Sequence, residues 1–280
     1  MATRREIYNL LYNVACEHYD VGEAKQIAQM LILAKGNISR NELIIEPNKE
    51  LIISDLETIV SELRSWRPVQ YIIGYADFRD MELLVKEGVL IPRPETEELV
   101  EWIVSEATTK PNILDIGTGS GAIAIALSRE ITNSRVWAMD ISEEALTIAR
   151  DNGKQYAPNA TFIEGDALAD FDTLFECKFD IVVSNPPYIP QSDVEQMRRN
   201  VLDFEPSTAL FVPDDNPLLF YRSIAHTSKK ILKQGGKLYF EIYELLAAEM
   251  TDMLKDEGYS NITLREDFRG KPRMICATLQ

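Results

Sequence analysis

Two stretches of the chain carry side chains suited to chemistry. The first is Val182-Val183-Ser184-Asn185-Pro186-Pro187-Tyr188. β-Branched residues that run into two prolines and an aromatic read as a buried strand that stops abruptly. Neither proline has an N–H and each holds φ near about −65°, so the turn is stiff and its carbonyl groups are available to a ligand. An amide before the prolines and a flat ring after them suit a planar group that carries an NH2. The second stretch is Gly117-Thr118-Gly119-Ser120-Gly121, with Asp140 placed 19 residues after Gly121. Glycines let the backbone turn tightly and let a ligand approach closely. A carboxylate at the end of the following strand can accept both hydroxyls of a ribose. By themselves these features fit any nucleotide cofactor, NAD included. Gly165-Asp166 is a further candidate, either for hydrogen bonding to an adenine amino group or as a plain surface turn.

The elements that must position these residues can be read from apolar spacing. Ile7, Leu10, Leu11 and Val14 recur with helical period, as do Ala24, Ile27, Ala28 and Leu31. Gly36 is a candidate C-terminal stop, and Ser39 with Glu42 resembles a capping box. Leu51, Ile52, Leu56, Ile59, Val60 and Leu63 form another apolar stripe, so residues 1–70 are expected to be a small helical bundle that recognises substrate. Tyr71-Ile72-Ile73-Gly74 and Met81 to Val85 read as short extended pieces of a hairpin linker over 71–90. From 91 to 280 strands and helices alternate. Strands are expected at Asn112–Asp115, Arg135–Met139, Thr161–Ile163, Ile181–Val183 and Lys237–Phe240, with Ile262–Leu264 and Met274–Ala277 closing the sheet. Helices are expected near Thr96, over Ala122–Arg129, over Glu143–Asp151 behind a Ser142 cap, and over Leu218–Leu232 and Leu245–Lys255. Repeated βα units imply an α/β domain with a mostly parallel sheet covered on both faces.

In such a sheet ligands lie beyond the carboxyl ends of the strands, where the glycine loop, Asp140, Asp166 and Asn185 would meet. A hydride-transfer enzyme has no use for the Asn-Pro-Pro-Tyr turn. A methyl donor that faces a bound NH2 group does.

Bulk properties narrow the partner. The chain has 280 residues and a formal net charge of −16, of which residues 1–85 carry −4 and the remainder −12. A phosphate-backbone binder usually shows a basic face, so nucleic acid is not the expected partner. No apolar run approaches the roughly 18–20 residues of a membrane span, and no signal peptide follows Arg4, Arg5 and Glu6. Cys16, Cys177 and Cys276 are far apart and only His18 and His226 accompany them, so neither a disulfide framework nor a metal site is expected. The expected location is the cytoplasm.

Asp115-Ile116-Gly117-Thr118-Gly119-Ser120-Gly121 together with Asn185-Pro186-Pro187-Tyr188 resembles the class I S-adenosylmethionine-dependent amino-methyltransferases. Arg67-Pro68-Val69-Gln70-Tyr71-Ile72-Ile73-Gly74, Ile91-Pro92-Arg93-Pro94-Glu95-Thr96-Glu97 and Glu205-Pro206-Ser207-Thr208-Ala209-Leu210 narrow the resemblance to the PrmC/HemK family. That family methylates N5 of the glutamine in the Gly-Gly-Gln motif of class I peptide-chain release factors. The resemblance implies a Rossmann-like domain with an antiparallel last strand, joined to a small N-terminal helical bundle. It implies S-adenosylmethionine as cofactor, S-adenosylhomocysteine as product, class I release factors as partners and a monomeric enzyme.

On this reading Gly117, Thr118, Gly119, Ser120, Gly121, Asp140, Asp166, Ala167 and Asn185 hold the cofactor. Asn185, Pro186, Pro187 and Tyr188 hold the substrate amide, and Asn185, Pro186 and Tyr188 carry the catalysis. Arg93 to Glu97 would line the cofactor's methionine end or serve as linker, and Glu205 to Leu210 would be a lid or a packed loop. A ribosomal-protein glutamine methyltransferase and an adenine-N6 nucleic-acid methyltransferase are the alternatives. The chain departs from the family at Ala167, where an aromatic is frequent, at Tyr243, where glycine is common, and over Ala169–Lys178, which is longer.

Overall fold

The computed structural model describes residues 2–280, which fall into two compact units. One comprises Met1–Tyr75 with Met197–Glu205, and the other Ala76–Gln196 with Pro206–Gln280.

The first unit is built from α1 (Arg4–Ala15), α2 (Val21–Gly36), α3 (Arg40–Ile45), α4 (Leu56–Arg64) and α5 (Val69–Ile73). Thr3 with Glu6 and Ser39 with Glu42 form full capping boxes, each of which satisfies two backbone N–H groups at the starts of α1 and α3. The apolar stripes foreseen on α1 and α2 bury Ile7, Leu11, Val14, Ala24, Ile27, Ala28 and Leu31 against Ile59 and Leu63 of α4. Three expectations change. The residue in the left-handed region that ends α2 is Asn37 (φ 47°), with Gly36 still helical. Leu51 and Ile52 precede α4 rather than joining it, and Ile52 is exposed. Tyr71-Ile72-Ile73 is helical, with Gly74 at φ 96° closing α5. A short apolar run flanked by Pro68 and Gly74 reads as strand by composition. Here Val69 and Ile72 instead face the helical core.

In the second unit a hairpin, β1 (Tyr75–Phe78) and β2 (Met81–Leu84), precedes α6 (Pro94–Glu106). Its turn places Arg79 and Asp80 both at positive φ (44° and 58°), the geometry that lets two twisted strands join through two residues. Then follow β3 (Asn112–Ile116), α7 (Ala122–Glu130), β4 (Arg135–Asp140), α8 (Glu143–Tyr156), β5 (Thr161–Glu164) and β6 (Phe179–Ser184). Next come β7 (Ile189–Pro190), α9 (Arg199–Leu202, within the first unit) and β8 (Phe211–Val212). The chain finishes with α10 (Leu219–Ile231), β9 (Leu232–Glu241), α11 (Ala247–Asp256), β10 (Tyr259–Glu266) and β11 (Pro272–Leu279).

The central sheet has the order β10-β11-β9-β6-β3-β4-β5. Strands β5, β4, β3, β6 and β9 are parallel, and β11 runs antiparallel between β9 and β10. Alternation divides the core between the two faces, because successive side chains of a strand point to opposite sides. Ile113, Val136, Ala138, Ile181, Val183 and Tyr239 meet Leu99, Trp102 and Ile103 of α6 and the apolar face of α7. Leu114, Met139, Val182, Leu238 and Phe240 meet Tyr221 and Ile224 of α10 and Met250 and Leu254 of α11. The two valines that lead into Asn185 are thus buried on opposite faces, as a central parallel strand requires.

Candidate active site

The topology fixes where the site lies. From β3 the chain moves outward through β4 to β5, then returns to place β6 on the other side of β3. The order reverses between β3 and β6, and ligands of open α/β sheets bind at that crevice. The loops leaving β3, β4, β5, β6 and β9 emerge on one edge. They carry Gly117–Gly121, Gly165-Asp166 and Asn185–Tyr188, and Asp140 and Glu241 are the last residues of β4 and β9.

The glycine loop is held from behind and left open in front. Gly117, Gly119 and Gly121 all have positive φ (71°, 56° and 85°), a conformation that costs a residue with Cβ about 1–2 kcal/mol. A Cβ on Gly117 or Gly119 would meet nothing within 4 Å, so a ligand has room to approach. A Cβ on Gly121 would lie 2.9 Å from Ile125 Cδ1 and 3.3 Å from Ala149 Cβ, so that glycine lets α7 and α8 pack. The N–H groups of Gly117 and Thr118 donate to the Met139 carbonyl at 2.8 and 3.0 Å, tying the loop to β4. Thr118 Oγ1 donates to Asp115 Oδ2 at 2.6 Å, and the Ala124 N–H donates to the same oxygen at 3.2 Å. Asp115 is fully buried and its Oδ1 has no partner; burial pushes its carboxyl up to about 7. Ser120 is buried, and its carbonyl accepts from Asn152 Nδ2 at 2.9 Å.

Asp140 ends β4 beside this loop. Its Oδ2 accepts the Gly119 N–H at 2.8 Å and its Oδ1 the Ser142 N–H at 2.9 Å. Burial raises its pKa, opposed by those backbone hydrogen bonds. Asp166 accepts the Leu168 N–H at 2.8 Å through Oδ1, closing its own turn. Ala167 offers its carbonyl to Ser223 Oγ at 2.7 Å and packs its methyl group against the core on the α10 face.

The Asn-Pro-Pro-Tyr turn leaves β6 through Ser184, whose hydroxyl donates to the Ile116 carbonyl at 2.7 Å and couples the two strand ends. Asn185 Nδ2 donates to Thr96 Oγ1 at 3.3 Å. Thr96 Oγ1 in turn donates to Glu241 Oε2 at 2.7 Å, and Tyr188 OH donates to Glu241 Oε1 at 3.0 Å. Pro186 is buried, while Asn185, Pro187 and Tyr188 are half-buried. The Tyr188 ring stacks on Tyr243 at 6.2 Å between centroids and 13° between planes. Tyr243 OH is anchored to Asp193 Oδ2 at 2.6 Å. Burial and the Glu241 carboxylate raise the Tyr188 phenol, which stays a neutral donor.

Sequence reasoning did not single out Asn152 or Glu241, and it reached Thr96 only as part of the Arg93 to Glu97 segment. Asn152 is a lone amide in mid-helix with no local signature. Glu241 did leave a signal. It follows the buried run Leu238-Tyr239-Phe240 at a strand's carboxyl end, as Asp140 follows Val136-Trp137-Ala138-Met139.

The fit to a nucleoside methyl donor is therefore physical. An open glycine loop at the head of a helix suits the donor's backbone, a strand-end carboxylate suits the ribose, and a rigid amide turn stands on the adjacent strand. Fold and site together define a methyltransferase domain of the α/β type. A sequence profile described as a methyltransferase domain matches residues 113–204. A methyltransferase from Pyrococcus furiosus superposes with a TM-score of 0.52 at 17% identity, covering 71% of this chain and 89% of that one, which shows the shared fold.

The relatives are more specific. The release factor glutamine methyltransferase of Bacteroides thetaiotaomicron is 45% identical over 264 residues, spanning 92% of this chain and 94% of that protein. Its counterpart in Flavobacterium psychrophilum is 40% identical over 265 residues, 92% of each. The chain belongs to the release factor glutamine methyltransferase family.

Proposed function

We propose that this enzyme transfers a methyl group from S-adenosylmethionine to N5 of the glutamine in the Gly-Gly-Gln motif of class I peptide-chain release factors. The observation that carries the reading is the orientation of Asn185. Its Nδ2 donates to Thr96 Oγ1 at 3.3 Å, which leaves its carbonyl oxygen available to accept from a substrate NH2. Family membership supplies the substrate, and the net charge of −16 favours a protein over a nucleic acid. With a release factor as substrate the enzyme works in the cytoplasm.

Bound S-adenosylmethionine supplies an electrophilic methyl group on a sulfonium. The chain must do the rest. An amide nitrogen is a poor nucleophile because its lone pair is delocalised into the carbonyl. Asn185 Oδ1 and the Pro186 carbonyl accept the two N–H bonds of the substrate, and Tyr188 supports the amide plane. Holding a near-attack geometry can supply roughly 7–11 kcal/mol at best. Acceptors already aimed at the nitrogen bond more strongly as it gains positive charge, which stabilises the transition state rather than the ground state. Both oxygens of Glu241 are engaged by Thr96 and Tyr188, so the released proton goes to water. Gly117 to Gly121, Asp140, Asp166 and Ala167 form the cofactor side.

The test offers the enzyme labelled S-adenosylmethionine with a class I release factor, a ribosomal protein and DNA in parallel. Label on the release-factor glutamine is expected. Label on the ribosomal protein or on DNA with none on the release factor overturns the proposal. Asn185→Ala should abolish transfer while leaving S-adenosylhomocysteine binding largely intact.

A further inference from the structure

The hydrogen bonds behind Asn185 form a directed chain that ends on one buried carboxylate. Glu241 lies at the end of β9 with about 1% of its surface exposed, and its register neighbour Phe240 pairs with Ser184, the residue before Asn185. We infer that Thr96 and Glu241 are positioning residues for methyl transfer: Glu241 holds Thr96 and Tyr188 as donors, and Thr96 thereby forces the Asn185 amide to face the substrate with its oxygen. The inference rests on the proposed role of Asn185 as acceptor for the substrate NH2.

The donor and acceptor inventory carries the argument. An ionised carboxylate only accepts, a neutral phenol is the donor opposite it, and a threonine hydroxyl has a single hydrogen. At 2.7 Å from Glu241 Oε2 that hydrogen points at the carboxylate, so Thr96 shows Asn185 a lone pair. Asn185 must answer with its NH2, as it does at 3.3 Å. With the amide rotated by half a turn, two lone pairs would face each other without a hydrogen between them. The choice between the two amide orientations, open for an isolated asparagine, is thus closed by Thr96. On its other oxygen Glu241 holds the Tyr188 hydroxyl at 3.0 Å, which fixes the ring that follows the prolines. The same buried anion therefore sets both ends of the turn. Its backbone carbonyl accepts from Tyr221 OH at 3.1 Å, so the carboxylate sits on a backbone that is itself anchored to α10.

The chain also explains the assignment of work within Ile91–Glu97. This segment contributes through Thr96, the third residue of α6, and the Pro94 start of that helix sets where the hydroxyl lies.

The experiment uses the full-length enzyme with a class I release factor. It measures kcat, the KM for the release factor and the Kd for S-adenosylhomocysteine. Thr96→Val keeps the shape and removes the hydroxyl. It should lower kcat by about 30-fold or more, because a misdirected amide loses near-attack geometry, with KM and Kd each within about threefold of wild type. Thr96→Ser should restore kcat to within about threefold. Glu241→Gln cannot accept from both donors at once and should lower kcat by about tenfold or more. The double variant should fall no more than about threefold below the worse single one, since both break the same chain. A folded Thr96→Val or Glu241→Gln enzyme with kcat within about threefold of wild type overturns the inference. Should Thr96→Val fail to fold, Glu241→Gln and the serine variant decide the matter. Asn185→Ala is run alongside. An active Asn185→Ala enzyme overturns the underlying reading of the site, whereas an inactive one beside a fully active Thr96→Val overturns the positioning role alone.

Discussion

Asn152 and Leu84 exchange two hydrogen bonds across the second unit: the Leu84 N–H donates to Asn152 Oδ1 at 2.7 Å, and Asn152 Nδ2 donates to the Leu84 carbonyl at 3.1 Å. The same Nδ2 also reaches the Ser120 carbonyl. One buried amide on α8 thus staples the end of the β1–β2 hairpin to the glycine loop. Removing it leaves three backbone groups without this partner, the Ser120 carbonyl among them in a buried bond, and a buried unpaired group costs about 1–3 kcal/mol. Asn152→Ala should lower unfolding free energy by about 2–4 kcal/mol in urea titration. It should also weaken S-adenosylhomocysteine binding by about tenfold or more in calorimetry. Unchanged binding in a destabilised variant would separate the hairpin from the loop and refute the link.

Gly119 and Gly121 should fail in different ways. Gly119→Val places a side chain in the open space of the loop. It should abolish cofactor binding at a folding cost of about 1–2 kcal/mol from the positive φ. Gly121→Ala adds a contact of 2.9 Å with Ile125 to the same strain. Its loss should appear first in stability, as a fall of about 2–4 kcal/mol. Thermal melting and calorimetry on the two variants distinguish the cases.

Burial raises Asp115 to about 7, from 3.8 for an exposed carboxyl. Between those values the folded enzyme retains a proton that the unfolded chain has released. This contribution is complete below the unfolded pKa and is lost as pH rises through the folded one. The ligand-free enzyme should therefore lose stability from about pH 4 to about pH 7, with an upper bound of about 4 kcal/mol from this group. Asp140 and Glu241, both also raised by burial, act with the same sign. Asp115→Asn keeps an oxygen for Thr118 and Ala124 and should flatten this slope. Urea midpoints at pH 5 and pH 8 measure it, and an unaltered slope would show that Asp115 is ionised throughout.

Tyr243 packs its ring against that of Tyr188. Its stacking on Tyr188 and its bond to Asp193 predict that Tyr243→Gly destabilises by about 1–3 kcal/mol. Tyr243→Phe retains the ring contact and should lose only about 0.5–1.5 kcal/mol. Equal losses in the two variants would mean that the stacking contributes nothing.

The strands and their glycine loop were legible because a central parallel strand must be apolar on both faces and because turns at positive φ demand glycine. Val182-Val183 and Gly117 to Gly121 show this directly. Asn185 stood out because prolines on its carboxyl side leave little else for it to do. What stayed hidden was long-range pairing. Thr96 and Glu241 are 145 positions apart, and nothing in either neighbourhood specifies the other. Tyr71–Ile73 misled because three apolar residues lack the length to separate helix from strand, and the decision came from the core that Val69 and Ile72 join.

Met197–Glu205 has a consequence for the history of the chain. Arg198 pairs with Glu23 at 2.6 Å and Arg199 lies over the Trp66 ring, so nine residues from the middle of the sequence complete the helical unit. A module closed by a segment borrowed from elsewhere is not a detachable cassette. It cannot be gained, lost or exchanged by a single crossover at its boundary. A graft that swaps residues 1–75 between two relatives must carry the matching 197–205 with it. The helical unit is therefore inherited as two pieces of sequence that have to change together.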